Sequence, residues 1–188
     1  MNPKLDLLKA SLAAAPITKF GEYQYFVHPI TDGVPPGTPE LFEEVVEAIW
    51  SIGNFDCDKI ITPESMGFPL AAALAVRARK PYLFIRKRRY NLPGELSLRQ
   101  VTGYSGNDMF INCVEKGDRL LFVDDVVSTG GTLRAIVKAL RSQGATIVDC
   151  IIVFEKTTKK AELEEELGLK IKTLLRVTVQ DGKLYSLG

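Results

Sequence analysis

The sequence predicts an α/β protein: a central, mostly parallel sheet flanked by helices. Short apolar runs of strand length alternate with amphipathic stretches of helix length. The runs are apolar almost throughout rather than at every second residue, as strands covered on both faces are. At 188 residues the chain fits one domain with a substantial core.

Taken in order, "MNPKLDLLKASLAAAPITKF" is apolar in places but interrupted by Lys4, Asp6, Lys9 and Pro16, which leaves no signal-peptide core. No segment reaches the length of a membrane span. In "GEYQYFVHPITDGVP", Tyr23, Tyr25 and Phe26 suit core packing, and His28, the only histidine, is read as structural. A helix is predicted from Thr38 as N-cap and Pro39 at the first helical position to Gly53. "DKIITPESMG" reads as a buried strand breaking into a turn, "FPLAAALAVRAR" as a helix with Pro69 near its start, and "PYLFIRK" as a second buried strand.

The stretch from Arg88 to Asn107, with Pro93, Gly94, Gly103 and Gly106, is polar and poorly periodic, as a mobile loop or loose hairpin would be. "RLLFVDD" is a strand, "GTLRAIVKALRSQG" a helix closed by Gly144, and "TIVDCIIVFEK" a long buried strand. "KAELEEELG" forms the last helix, and two strands joined at Asp181-Gly182 end the chain.

With 24 Lys+Arg against 23 Asp+Glu the formal charge is +1, so no global field recruits nucleic acid or an anionic membrane. Anion binding must be local. Cys57, Cys113 and Cys150 lie far apart without metal-ligand spacing and are expected to be buried, reduced thiols of a cytosolic protein.

The stretch that carries chemistry is "LLFVDDVVSTGGT", Leu120 to Thr132. In parallel sheets ligands bind outside the carboxyl ends of the strands, and this stretch leaves such an end for a helix. Backbone N–H groups there can converge on a phosphate at the positive helix terminus. Ser128, Thr129 and Thr132 add hydroxyl donors, and Gly130 and Gly131 permit close approach. The glycine spacing is neither that of a Walker loop nor that of the dinucleotide fingerprint. Asp124 and Asp125 would repel phosphate but can accept hydrogen bonds from two vicinal hydroxyls. A ribose 5-phosphate offers both groups. For both carboxylates to reach one sugar, the strand is expected to begin turning at the pair, because consecutive strand residues point to opposite faces.

The stretch resembles the phosphoribosyl-pyrophosphate signature of the type I phosphoribosyltransferases. The resemblance implies that fold, with residues 1–37 forming a small hood over the base, and implies that Asp124 and Asp125 hold the ribose hydroxyls while Val126, Val127, Ser128, Thr129, Gly130, Gly131 and Thr132 wrap the 5-phosphate. "TPESMGFPL" is similar to the family's pyrophosphate loop at Glu64, Ser65, Met66 and Gly67. Some members carry arginine where Met66 stands, so pyrophosphate must draw charge elsewhere, from Arg86 and Lys87 in "RKRR" and from Mg²⁺ bridging its oxygens. "VFEKTT" resembles the purine-recognition strand of the 6-oxopurine branch, which implies that Lys156 reaches the exocyclic oxygen. An ammonium only donates, so it suits O6 and mismatches the amino group of adenine. Val127 and Phe154 are candidate apolar walls for the base, equally well read as core.

Over nearly its full length the chain looks like the archaeal hypoxanthine phosphoribosyltransferases. The resemblance implies a Mg²⁺-dependent, cytoplasmic, homodimeric salvage enzyme that converts hypoxanthine, and guanine, with phosphoribosyl pyrophosphate to the nucleoside monophosphate. Xanthine or adenine as the base, or a non-catalytic sensor of the same ligands, are the alternatives, though a DNA-reading sensor would need a basic module that is not seen here. Two bases known in the family are missing, since Ser128 stands where the common hypoxanthine-guanine enzymes have aspartate and Gly103 where adenine enzymes have a loop glutamate. Glu95 is the nearest replacement, and a solvated loop acid is its ordinary reading.

Overall fold

Helix α1 (Asp6–Ala13) leads into a hairpin of β1 (Ile17–Phe20) and β2 (Tyr23–Phe26), followed by one helical turn, α2 (Pro29–Asp32). The computed structural model describes residues 3–21, 23–99, 108–180 and 183–187 of the chain. The α1 helix was not anticipated, because the charges that break its apolar run lie on its outer face. Leu8 and Leu12, one turn apart, are buried together. Its opening N–H groups, which no helix can satisfy internally, donate to a distant carboxylate: Leu7 and Leu8 to Glu44 at 3.0 and 2.7 Å.

Helix α3 (Pro39–Ile52) starts where its cap residues place it, with Thr38 Oγ1 accepting from the Leu41 N–H at 3.3 Å, and stops before Gly53. There follow β3 (Lys59–Pro63), α4 (Gly67–Ala78), β4 (Tyr82–Ile85), the hairpin strands β5 (Leu96–Arg99) and β6 (Asp108–Ile111), β7 (Arg119–Val127), α5 (Gly131–Gln143), β8 (Thr146–Glu155), α6 (Lys160–Leu167), β9 (Lys172–Gln180) and β10 (Lys183–Leu187). Among the described residues the main sheet runs β10-β9-β8-β7-β3-β4, parallel except for β10 at its edge.

Strand β7 shows why the central runs are apolar throughout. Leu121 and Val123 pack toward Leu8, Val45 and Leu74 on one face; Leu120 and Phe122 pack toward Ile136, Leu140 and Leu163 on the other. Each fully buried side chain of this size contributes about 1.5–3 kcal/mol, so this strand is fixed from both sides.

Three expectations are corrected. Strand β7 continues past the acid pair to Val127, because Val126 and Val127 remain paired with Phe154 and Glu155 of β8. Strand β4 is an edge strand with Tyr82 exposed rather than a fully buried one. Cys57 and Cys150 are buried free thiols as expected, but Cys113 is exposed. The polar stretch from Arg88 resolves the loop-or-hairpin choice in favour of a hairpin, β5 with β6, tied to the end of β4 by two backbone bonds between Arg86 and Phe110 at 2.8 and 2.7 Å. The expectations for Gly103, Gly106, the Tyr23 side chain and the Asp181-Gly182 turn lie outside the described residues. No helix among the described residues is long and apolar enough to cross a membrane.

Candidate active site

The parallel strands β3, β4, β7 and β8 bring their carboxyl ends together, and every segment singled out in the sequence lies there. Where β7 gives way to α5, a cavity of about 220 Å³ is lined by Asp124 and by each residue from Val126 to Thr132. Gly130 precedes the helix with φ 76°, and a Cβ there would lie 2.6 Å from Leu163 Cδ2. Backbone conformation and space both require glycine. The 13-residue helix α5 directs the positive end of its dipole at this cavity.

Asp124 and Asp125 stay in regular strand. Asp124 faces the cavity, and Asp125 is buried on the side of α2, where the charge of Asp32 acts on it. Their carboxyls nevertheless interact. Burial pushes both above the usual carboxylate range, and for Asp124 the adjacent Asp125 carboxyl adds to the rise. The two acids titrate as a pair.

The loop from Glu64 to Gly67 joins this centre from the β3 side. Glu64 accepts from the Lys87 N–H at 3.1 Å, and its own N–H donates to the Ile85 carbonyl at 2.8 Å, so this loop and the end of β4 adjoin. The Glu64–Ser65 peptide is cis. Met66 precedes α4, and Gly67 opens it so closely to β7 that a Cβ would lie 3.2 Å from Asp124 Oδ1. The Arg86 guanidinium lies 5.5 Å from the Phe68 ring centre, beside the same loop.

Lys156 follows β8, with its N–H donating to the Val127 carbonyl at 2.8 Å. Its Nζ donates to the main-chain carbonyl of Gln24 at 3.3 Å and sits 5.3 and 5.4 Å from the ring centres of Tyr25 and Phe26. The N-terminal hairpin therefore closes over the end of β8. Phe154 is a correction: it is fully buried, edge-on to Phe26 at 5.5 Å and to His28 at 5.1 Å, so its core reading holds and it presents no wall to a ligand.

His28 is structural, as expected. Its Nδ1 accepts from the Ile30 N–H at 3.1 Å, which leaves Nε2 to donate to Ser11 Oγ at 2.9 Å, and burial lowers its pKa to about 4. Glu95 is neither solvated nor free to act as a base. Its carboxylate accepts from the N–H groups of Tyr90 and Asn91 and from Asn112 Nδ2 and pairs with Arg89. Burial raises its pKa, but these donors outweigh burial and hold it below the usual range.

Two residues were missed. Asp32 accepts from the Tyr25 hydroxyl at 2.7 Å, from Thr31 Oγ1 at 2.6 Å and from the His28 N–H at 2.9 Å, fixing the hairpin beside Asp125. Arg134 is held by both oxygens of Glu166 and donates through Nη1 to the Thr129 carbonyl at 2.7 Å. Its signal was available, as the one arginine in the first turn of a helix that opens on a glycine pair. Asp32 had only its place after a proline-opened turn.

Residues 39–173 match the family model described as the phosphoribosyl transferase domain. A hypoxanthine/guanine phosphoribosyltransferase of Methanocaldococcus sp. strain FS406-22 is 49% identical over 96% of this chain and 93% of its own length. One of Methanocaldococcus jannaschii is 48% identical over 96% of this chain and 100% of its own. Among solved structures, an adenine phosphoribosyltransferase of Thermoanaerobacter pseudethanolicus superposes with a TM-score of 0.75 at 24% identity, covering 92% of this chain and 99% of that one. That likeness concerns the fold. With the family model matching residues 39–173 and these relatives matching nearly the whole length, the chain belongs to the phosphoribosyltransferase family.

Proposed function

We propose that the protein transfers the phosphoribosyl group of phosphoribosyl pyrophosphate to hypoxanthine and guanine, releasing pyrophosphate and the nucleoside monophosphate. The observation that carries the choice of base is Lys156, which is tied through its own N–H to Val127 of the cradle and holds its ammonium against the Gln24 carbonyl of the N-terminal hairpin. It donates and cannot accept, which fits O6.

In this reading the N–H groups from Val126 to Thr132 hold the 5-phosphate, and Asp124 and Asp125 hold the ribose hydroxyls. Glu64, Ser65, Met66 and Gly67, with Arg86 and Lys87, receive the pyrophosphate. A purine nitrogen attacks C1 of the sugar as pyrophosphate leaves and positive charge grows on the ring. The buried acids next to that ring offset the charge, and fixing both reactants supplies much of the acceleration. Residues 1–37 act as a hood that excludes water from the activated sugar.

Among the described residues no three or more His, Cys, Asp or Glu side chains come together as metal ligands. Mg²⁺ characteristically takes one or two carboxylates and fills its shell with water and phosphate oxygens, so Asp124 and Asp125 beside the cradle fit it, with the substrate as its main holder. When bound it neutralises the leaving pyrophosphate. The proton on the attacking base has no assigned acceptor, since Ser128 and Glu95 do not serve. A homodimeric state and a cytoplasmic location belong to the same reading, supported by the family resemblance.

A steady-state assay with phosphoribosyl pyrophosphate, Mg²⁺ and each of hypoxanthine, guanine, xanthine and adenine tests it. Turnover of hypoxanthine and guanine is expected. Turnover of none would overturn the enzyme reading, and a preference for adenine would overturn the base assignment.

A further inference from the structure

The side-chain oxygen of Gln24 is buried and accepts no hydrogen bond. Buried acceptors in folded proteins nearly always have a donor, and an exception calls for a reason such as a ligand that supplies one. Its location suggests which ligand. On β2, Gln24 shares a face with Phe26, two residues on, and Phe26 packs against Phe154 of β8 at 5.5 Å. Lys156 lies just past the end of β8, and its Nζ donates to the Gln24 main-chain carbonyl at 3.3 Å. Gln24 thus carries an unsatisfied side-chain acceptor and, on its main chain, holds the Lys156 donor beside the end of β8.

A 6-oxopurine presents the matching pair on adjacent atoms, with O6 as an acceptor and N1–H as a donor. Adenine presents the reverse, an amino group at C6 and a bare N1 lone pair. We propose that Gln24 is a specificity-determining residue whose side-chain carbonyl accepts the N1–H of the purine while Lys156 donates to O6. The inference rests on the 6-oxopurine reading given above and extends it from one recognised atom to two. The pair itself does not distinguish hypoxanthine, guanine and xanthine, which share both atoms, and it presents a double mismatch to adenine.

The test compares hypoxanthine with 1-methylhypoxanthine, which lacks the N1–H, in the wild type, Gln24→Ala and Gln24→Met. In the wild type hypoxanthine is strongly preferred. In both variants kcat/KM for hypoxanthine falls at least tenfold, KM for phosphoribosyl pyrophosphate stays within about twofold, and the preference over the methylated base shrinks about tenfold or more. Gln24→Met keeps the bulk of the side chain, so it separates loss of the acceptor from loss of packing. If the variants lose activity on both bases in equal proportion, Gln24 is only structural and the proposal fails. If the wild type turns over hypoxanthine with an unchanged ratio in the variants, this proposal alone fails; if the wild type turns over no purine, it falls together with the functional reading.

Discussion

Arg134 Nη1 lies 2.7 Å from the main-chain oxygen of Thr129, while its Nε is gripped by Glu166 of α6. The bond spans the tightest part of the cradle, across Gly130, and ties the loop to the helix that follows it. In the proposed reading Arg134 is therefore a positioning residue for the phosphate site. Arg134→Ala is expected to raise KM for phosphoribosyl pyrophosphate about tenfold, the worth of one charged hydrogen bond, with kcat reduced less. Arg134→Lys restores part of it. A kcat defect with KM unchanged would contradict this role.

Gly67 opens α4 against a fully buried Thr62, whose Oγ1 a Cβ at Gly67 would overlap. Thr62 is held within β3 and Asp124 stands on the other side, so neither neighbour can give way cheaply. Gly67→Ala should cost about 1–3 kcal/mol by overpacking and displace the Glu64–Gly67 loop. Thermal unfolding would show the first effect, and pyrophosphate inhibition the second as weaker binding.

The acid pair makes stability depend on pH. Asp124 and Asp125 hold protons more tightly when folded than unfolded, chiefly through burial. Their contribution is full below the ordinary carboxylate pKa and drains as pH rises through the raised native values. Asp124→Asn should therefore raise Tm of the unliganded protein by several degrees near pH 8 and by little near pH 4, while abolishing most activity. His28 acts with the opposite sign at lower pH. Its native pKa of about 4 lies below the ordinary value of 6.5, so stability is lost as pH falls between the two. Scanning calorimetry on the wild type and Asp124→Asn across this range separates the slopes, and a wild-type Tm independent of pH would refute them.

Replacing Lys156 by methionine keeps the contacts with Tyr25 and Phe26 but removes the ammonium. Lys156→Met is expected to lower kcat/KM for hypoxanthine and guanine at least tenfold and to leave the weak adenine rate nearly unchanged. Equal losses on all bases would assign Lys156 to the hairpin contact instead.

What the sequence disclosed and what it hid follow from range of interaction. Thr38 with Pro39, Gly144, and the cradle from Asp124 to Thr132 were legible because each is specified by neighbours a few residues away. Glu95 was misread because the chain before it folds back, so that the Tyr90 and Asn91 N–H groups and Asn112 from across the hairpin converge on its carboxylate. Phe154 was ambiguous because a buried aromatic at a strand end looks the same whether it faces a ligand or Phe26. The continuation of β7 to Val127 depended on pairing with β8, which no local pattern encodes. Gln24 gave no signal and Asp32 only its place in a proline-opened turn, since their significance comes from where the N-terminal hairpin docks.

Strand β7 is clamped by apolar layers on both faces, and the β5–β6 hairpin, which among the described residues meets the main sheet at the bridge of Arg86 and Phe110, sinks Leu98, Met109 and Ile111 into one of those layers. The groups proposed to keep a sugar phosphate in register are therefore rooted where local unfolding is most costly, and the margin beside them shares that anchorage.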